Sequence, residues 1–163
     1  MKKSFLFLSL LLISFAFSKS MLAHCEVPCG IYNDELRVEL IKEHIQTIEK
    51  AMNQIADFQS AETVNYNQLV RWVNTKELHA NLIQEIAEQY FLTQRVKFAD
   101  SADGESYKKY ITQLSTLHQL IVYAMKAKQS TDLLQVENMR KSLTAFEKAY
   151  FGEHRHDVDG EHK

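Results

Sequence analysis

Residues 36–55 read LRVELIKEHIQTIEKAMNQI, and this stretch decides the fold class. Its apolar side chains recur at intervals of three, four and once five residues, which places them on one face of a helix and the charged side chains on the other. Asn33 or Asp34 can cap the amino end of this helix, and Glu35 lies in the first turn, where the helix dipole favours an anion. The apolar positions are Leu36, Ile41, Ile45, Ile48, Met52 and Ile55.

The same periodicity returns in three later segments. They span about 64–98, which is long enough for one helix or two, then 107–125 and 133–150. All four Gly residues and the single Pro lie outside these segments, so no helix breaker interrupts them. Long helices joined by short connections pack against their chain neighbours in antiparallel order. We therefore predict an all-α protein whose residues 33–152 form one antiparallel four-helix bundle.

Two finer predictions concern a helix boundary and the core. Ser130 or Thr131 is expected to cap the fourth helix, and Gly152 is expected to end it. On the second segment, the apolar stripe that should face the core includes Val73 and Ile83.

Charge and composition exclude several classes of protein. The chain has 19 basic and 21 acidic side chains; without residues 1–23, which hold three Lys and no acid, 16 basic ones remain and the formal charge is −5. An acidic domain of this kind argues against nucleic-acid binding, which depends on clustered Lys and Arg. Covalent haem attachment is excluded because no C-x-x-C-H occurs. The lone Glu-x-x-His, at Glu153 and His156, lies beyond the helices, which excludes a di-iron bundle.

Residues 1–23 have the pattern of a cleavable leader peptide. Lys2 and Lys3 precede an apolar run from Phe5 to Phe17 whose thirteen residues span about 20 Å as a helix, short of the roughly 30 Å of a membrane core. Cleavage after Ala23 would export the chain to the periplasm or beyond and leave a mature form without a membrane segment. A cleavage site nearer residues 18–20 and an uncleaved anchor are the alternatives.

The unusual chemistry of the chain is confined to residues 24–32, HCEVPCGIY, which contain both Cys residues and the only Pro. Cleavage before His24 creates a free α-amino group. This amine, with the amide nitrogen and thiolate of Cys25, forms fused five-membered chelate rings, and Cys29 can supply a fourth donor because the neighbouring Pro and Gly permit a tight turn. Square-planar nitrogen and sulfur donors are typical of Ni(II) or Cu(II) rather than Zn(II). We therefore predict a redox-active metal hook, with the His24 imidazole as an axial donor.

This run resembles the amino-terminal hook, H-C-x-x-P-C-G-x-Y, of nickel-containing superoxide dismutases. The resemblance implies disproportionation of superoxide to dioxygen and hydrogen peroxide, with one nickel ion per subunit alternating between its divalent and trivalent states. It also implies a homohexamer of bundles in which neighbouring subunits cover the hooks. The matching positions are His24, Cys25, Pro28, Cys29, Gly30 and Tyr32.

The resemblance also assigns roles to single residues. Nickel would be held by the amine and imidazole of His24, the amide nitrogen and sulfur of Cys25, and the sulfur of Cys29. Tyr32 matches the tyrosine that stands over the open axial face and limits what reaches the metal. Pro28 matches a proline that follows a cis peptide bond.

Two further residues are expected to support the metal from outside the hook. Glu39 corresponds to the family carboxylate that hydrogen-bonds the axial imidazole, although the stretch from Tyr32 to Glu39 is one residue shorter here. Arg71 is the expected partner of that carboxylate.

Several other functions remain open at this point. Cys25 and Cys29 can instead form a disulfide in an oxidising compartment, which would make the chain a stapled helical interaction module. The hook can also hold copper or nickel without turnover, as an exported metal-binding redox protein. His44, His79 and His118 lie in helices and are expected to be ordinary surface or interior histidines. The polar tail 153–163 contains further His residues and is expected to be solvated.

Overall fold

The computed structural model describes residues 27–152, and within them every regular element is helical. The predicted leader, the predicted metal ligands His24 and Cys25, and the tail 153–163 lie outside these residues. The elements are α1 (Asp34–Ser60), α2 (Tyr66–Glu85), a π-helix (Ile86–Arg95), α3 (Gly104–Gln129) and α4 (Leu134–Phe151).

The helices form the predicted antiparallel four-helix bundle. Helix α1 packs against α2 and α4, and α3 packs against the same two helices. The side chains with the largest fully buried volume come from all of these elements, as one shared core requires. They include Ile41, Ile45 and Ile48 of α1, Ile83 of α2, Phe91 of the π-helix, Leu117 and Leu120 of α3, and Met139 and Phe146 of α4.

The helix caps agree with the sequence at two of the three predicted ends. The Leu36 amide donates to the Asn33 side chain at 3.0 Å, which caps α1. Gly152 ends α4 with a φ of 90°, a left-handed conformation that glycine adopts without strain. The prediction that Ser130 or Thr131 caps α4 was wrong, because the Leu134 amide donates to Asp132 Oδ1 at 2.9 Å.

The core-facing stripe of α2 agrees with the prediction at Ile83, which is buried, but not at Val73, which is 37% exposed. The other buried positions of α2 are Lys76 and Ala80. The Lys76 ammonium donates to the carbonyl oxygens of Ala127, at 2.7 Å, and Lys128. A lysine is therefore buried because it satisfies carbonyl groups that have no partner within helix α3.

The second predicted segment forms one continuous helical stretch from Tyr66 to Arg95. Its last ten residues, Ile86–Arg95, are a π-helix. The Thr93 hydroxyl donates to the Glu88 carbonyl and the Val96 amide to the Phe91 carbonyl, both at 2.8 Å and both across five residues. π-Helical segments are rare in proteins and are frequently found at functional sites. This one ends beside the hook.

No helix within residues 27–152 is long and apolar enough to cross a membrane.

Candidate metal centre

Residues 27–30 form an exposed turn that carries Cys29. The Val27–Pro28 peptide bond is cis, as the family resemblance implies, and Gly30 has a φ of 79°, which a side chain would strain. Gln94, near the end of the π-helix, donates to the Val27 carbonyl at 3.3 Å and ties the turn to the bundle. The Cys29 thiol is free and exposed. A soft sulfur donor presented in this way fits a thiolate-bound nickel, although His24 and Cys25 lie outside the described residues.

Tyr32 is held between a tyrosine and an arginine of the π-helix. Its ring meets the Tyr90 ring edge to face, with centroids 5.9 Å apart, and the Arg95 guanidinium lies 4.2 Å from the Tyr32 ring centroid. The side chain remains 38% exposed. Tyr32 is therefore positioned by packing on one side and open to the surroundings on the other.

Asp34, at the start of α1, is the centre of the hydrogen bonds beneath Tyr32. Its Oδ1 accepts from the Tyr90 hydroxyl at 2.7 Å and from Arg95 Nε at 2.8 Å. Its Oδ2 accepts from Arg95 Nη2 at 2.7 Å and from the Tyr150 hydroxyl at 2.8 Å. One carboxylate thus connects α1, the π-helix and α4. We call Asp34, Tyr90, Arg95 and Tyr150 the Asp34 cluster.

The ionisation states of the Asp34 cluster follow from its contacts. Burial alone would raise the pKa of Asp34, but hydrogen bonds from Arg95, Tyr90 and Tyr150 outweigh it and lower that pKa. Burial, followed by the neighbouring Asp34 carboxylate, raises the pKa of Tyr90 and of Tyr150 to about 12. At neutral pH the cluster therefore holds one carboxylate, one guanidinium and two protonated phenols.

The π-helix explains how Tyr90 and Arg95 reach the same carboxylate. They are five residues apart, and in an α-helix of 3.6 residues per turn they would point about 140° away from each other. A π-helix closes its hydrogen bonds across five residues, so side chains with this spacing lie above one another.

A cleft of about 280 Å³ lies beside the turn. The hook residues Val27 and Pro28 form one part of its wall, and α1, α2 and the π-helix form the rest. Arg37 lies in this wall with its guanidinium 5.0 Å from the Tyr90 ring centroid, while Glu85 contributes the opposite charge. We call this the hook cleft; its other lining residues are Leu40, His44, Leu82, Ile86, Gln89 and Tyr90.

The family model for nickel-containing superoxide dismutase matches residues 19–154, a range that includes the hook and the whole bundle. The chain belongs to the nickel-containing superoxide dismutase family. It is thus an oxidoreductase that acts on superoxide with nickel as its cofactor. No curated protein and no solved structure matches the chain significantly.

The structure of this superoxide dismutase separates the two predicted supporting residues. Glu39 is exposed on α1 and accepts from Lys42 Nζ at 3.0 Å. Arg71 is exposed near the start of α2. Helices α1 and α2 run antiparallel with His44 against His79 and Lys50 against Trp72, so Arg71 lies about 12 residues, roughly 18 Å, along the bundle from Glu39. Arg71 therefore does not contact the Glu39 carboxylate.

The Asp34 cluster was not predicted from the sequence. In the sequence Asp34 is only a candidate helix cap, and Tyr90 and Tyr150 lie within segments of apolar periodicity. Their contacts with Asp34 span 56 and 116 residues. The sequence did contain one signal for this cluster, namely the tyrosine hydroxyl groups within otherwise apolar stripes. A buried phenol requires a hydrogen-bond partner, so each of these tyrosines predicts a polar contact.

Proposed function

We propose that the nickel of this superoxide dismutase is held by the α-amine and imidazole of His24, the amide nitrogen and thiolate of Cys25, and the thiolate of Cys29. The observation that supports this proposal is the free, exposed Cys29 thiol on a turn bonded to the end of the π-helix. The proposal requires that residues 1–23 are removed as a leader, because only cleavage frees the His24 amine. On this basis the mature protein is exported.

Nickel bound there supplies a one-electron acceptor and donor, alternating between its divalent and trivalent states. The chain supplies position and access. Gly30 allows the chain to turn at Cys29, and Gln94 holds the turn against the bundle. Tyr32, packed between Tyr90 and Arg95, stands at the entrance and limits what reaches the thiolates.

The Asp34 cluster acts in positioning rather than in proton transfer. Disproportionation consumes two protons for each hydrogen peroxide formed, and a useful acid has a pKa near the working pH. Tyr90 and Tyr150, with pKa values of about 12, are too weak as acids for this role. Their hydroxyls instead hold Asp34, which in turn fixes the Arg95 guanidinium against Tyr32.

Arg37 is the proposed source of local attraction for the superoxide anion. The mature chain is acidic overall, so its net charge does not draw an anion inward. Arg95 is paired with Asp34, whereas Arg37 rests on the Tyr90 ring in the wall of the hook cleft. A cation at the entrance raises the local concentration of superoxide.

Glu39 remains the proposed carboxylate that would hydrogen-bond the His24 imidazole. Its observed partner is Lys42, which also lies 3.0 Å from Glu147 of α4. We therefore assign to Lys42 the supporting role that the family resemblance gave to Arg71.

We also propose that the subunits assemble as a homohexamer that covers the hook. Large apolar side chains are exposed around it: Val27 is 81%, Ile31 is 83% and Leu36 is 50% exposed. A neighbouring subunit packed against these side chains would bury apolar area and order the hook. Mass measurement by light scattering should give six subunits for the native protein and fewer for Ile31→Asp. A native monomer with full activity would contradict the assembly.

The decisive test of the ligand set adds one Gly before His24 of the mature chain. The extension converts the α-amine into a peptide nitrogen, and we expect dismutase activity to be lost. A Gly added after Lys163 is the matched control and should leave activity unchanged. Full nickel-dependent turnover by the extended chain would refute the assignment of the amine.

Two further measurements test the alternative functions. Metal analysis together with a superoxide decay assay distinguishes a dismutase from a protein that only stores copper or nickel. A Cys29→Ser chain with unchanged metal content would favour the disulfide interpretation.

A further inference from the structure

His44 and His79 face each other across the contact between α1 and α2. Their Nδ1 atoms are 3.0 Å apart, and their rings meet at 66° with centroids separated by 4.9 Å. Both side chains are half-buried. Without a metal, one Nδ1 carries a proton and donates it to the lone pair of the other.

The separation of these two nitrogens suits one divalent metal ion. Metal to imidazole bonds measure about 2.0–2.1 Å, and two such bonds ending 3.0 Å apart enclose an angle of about 94°. A square-planar or octahedral ion needs about 90° between neighbouring ligands, whereas a tetrahedral ion would need nitrogens about 3.3 Å apart. The pair therefore matches adjacent corners around Cu(II) or Ni(II) more closely than around Zn(II).

The surroundings keep both imidazoles neutral and available. Burial, and for His44 also the nearby His79, lowers the pKa of each histidine, although Glu43 opposes the shift at His44. His44 also lines the hook cleft, so an ion can approach from the side where Pro28 and Glu85 lie. Residues 27–152 contain no group of three or more His, Cys, Asp or Glu side chains arranged around one ion. Water would complete the coordination.

We propose that His44 and His79 form a second, exchangeable metal site for Cu(II) or Ni(II) beside the hook cleft, which His44 lines. Binding moves the shared proton from Nδ1 of one ring to Nε2 of the same ring, so both rings stay neutral and no net proton is released. The site is built from helical residues only and does not depend on the ligands proposed for the hook.

The test uses a full-length chain in which both Cys residues are replaced and every His is replaced except His44, His79 and the control, His118. In this background the amino terminus, which also binds copper, is common to all variants. Titration with CuCl2 is followed by calorimetry and by the nitrogen couplings in the electron paramagnetic resonance spectrum. His44→Gln and His79→Gln are compared with His118→Gln, which removes an exposed histidine of α3. The background replacements are His24→Gln, Cys25→Ser, Cys29→Ser, His154→Gln, His156→Gln and His162→Gln.

In addition to the copper bound at the amino terminus, we expect the background chain to hold one Cu(II) through two imidazole nitrogens. Either His44→Gln or His79→Gln should weaken that binding more than about tenfold. Loss of a residue that only hydrogen-bonds a metal ligand already lowers metal affinity by about 10–100-fold, and these substitutions remove a ligand itself. His118→Gln should bind as the background does. Circular dichroism verifies that each variant folds, and the two variants on different helices test the pair independently. Equal copper affinity in all three variants, or a background chain whose spectrum shows no imidazole coupling, would overturn the proposal.

Discussion

Arg95 and Asp34 form a two-pronged ion pair that joins the last residue of the π-helix to the first residue of α1, with Nε to Oδ1 at 2.8 Å and Nη2 to Oδ2 at 2.7 Å. The same guanidinium lies over the Tyr32 ring. One arginine therefore connects the bundle to the residue that we place at the entrance of the metal centre. This geometry couples the stability of the bundle to the order of the hook.

Asp34→Asn should destabilise the protein by about 2–4 kcal/mol, because it removes the charge that holds one guanidinium and two phenols. The matched control is Glu49→Gln, which breaks the ion pair between Arg140 and Glu49 on the surface. The side chains of that pair are 45% and 37% exposed, so its loss should cost less than about 1 kcal/mol. Urea unfolding measures both values. Equal losses would show that the Asp34 cluster contributes no more than a surface pair.

The two phenols of the Asp34 cluster should make the protein sensitive to alkali. A tyrosine in the unfolded chain has a pKa of about 10, whereas Tyr90 and Tyr150 titrate at about 12 in the native state. The native state thus retains protons that the unfolded state releases, so this stabilisation is complete below pH 10 and is lost as the pH rises to 12. Unfolding measured from pH 9 to 12 should show a shallower decline for the Tyr90→Phe, Tyr150→Phe double variant. Tyr66→Phe, at an exposed site, should follow the native protein.

Tyr32→Ala should open the metal centre to small anions. The substitution removes the ring that packs against Tyr90 and the Arg95 guanidinium, and so leaves the proposed entrance unobstructed. We expect azide to inhibit at a concentration about tenfold lower, equivalent to ~1.4 kcal/mol of easier binding. Tyr32→Phe retains the ring and should stay close to the native inhibition constant. A Phe variant as sensitive as the Ala variant would assign the effect to the hydroxyl rather than to packing.

Arg37→Gln should slow the capture of superoxide. We expect kcat/KM to fall roughly three- to tenfold at low ionic strength and the difference to disappear in high salt, because screening removes steering. Arg71→Gln makes the same change in net charge far along the bundle and should have little effect. Pulse radiolysis across a salt series measures both. If kcat/KM depended on salt in the same way in both variants, the attraction of superoxide would come from the net charge of the protein rather than from Arg37.

The hook and the bundle were predictable from the sequence for different reasons. The bundle follows from apolar periodicity in segments without breakers, a signal that each helix carries locally. The hook motif lies within nine consecutive residues, so its match needed no folded structure. Arg71 and Glu39 lie apart along the bundle because two residues on different helices meet only if the register between the helices allows it. Val73 was misplaced since the buried Lys76 satisfies distant carbonyl groups.

The sequence by itself determined the helical class, the chain positions of the two cysteines and the tight turn at Gly30, because these depend on residue type and local spacing. Only the tertiary structure decided that a π-helical turn aligns Tyr90 with Arg95, that both meet Asp34 with Tyr150 beneath Tyr32, and that His44 lies against His79. Those contacts join residues from 35 to 116 positions apart. They arise from how whole helices pack against one another, which local spacing does not encode.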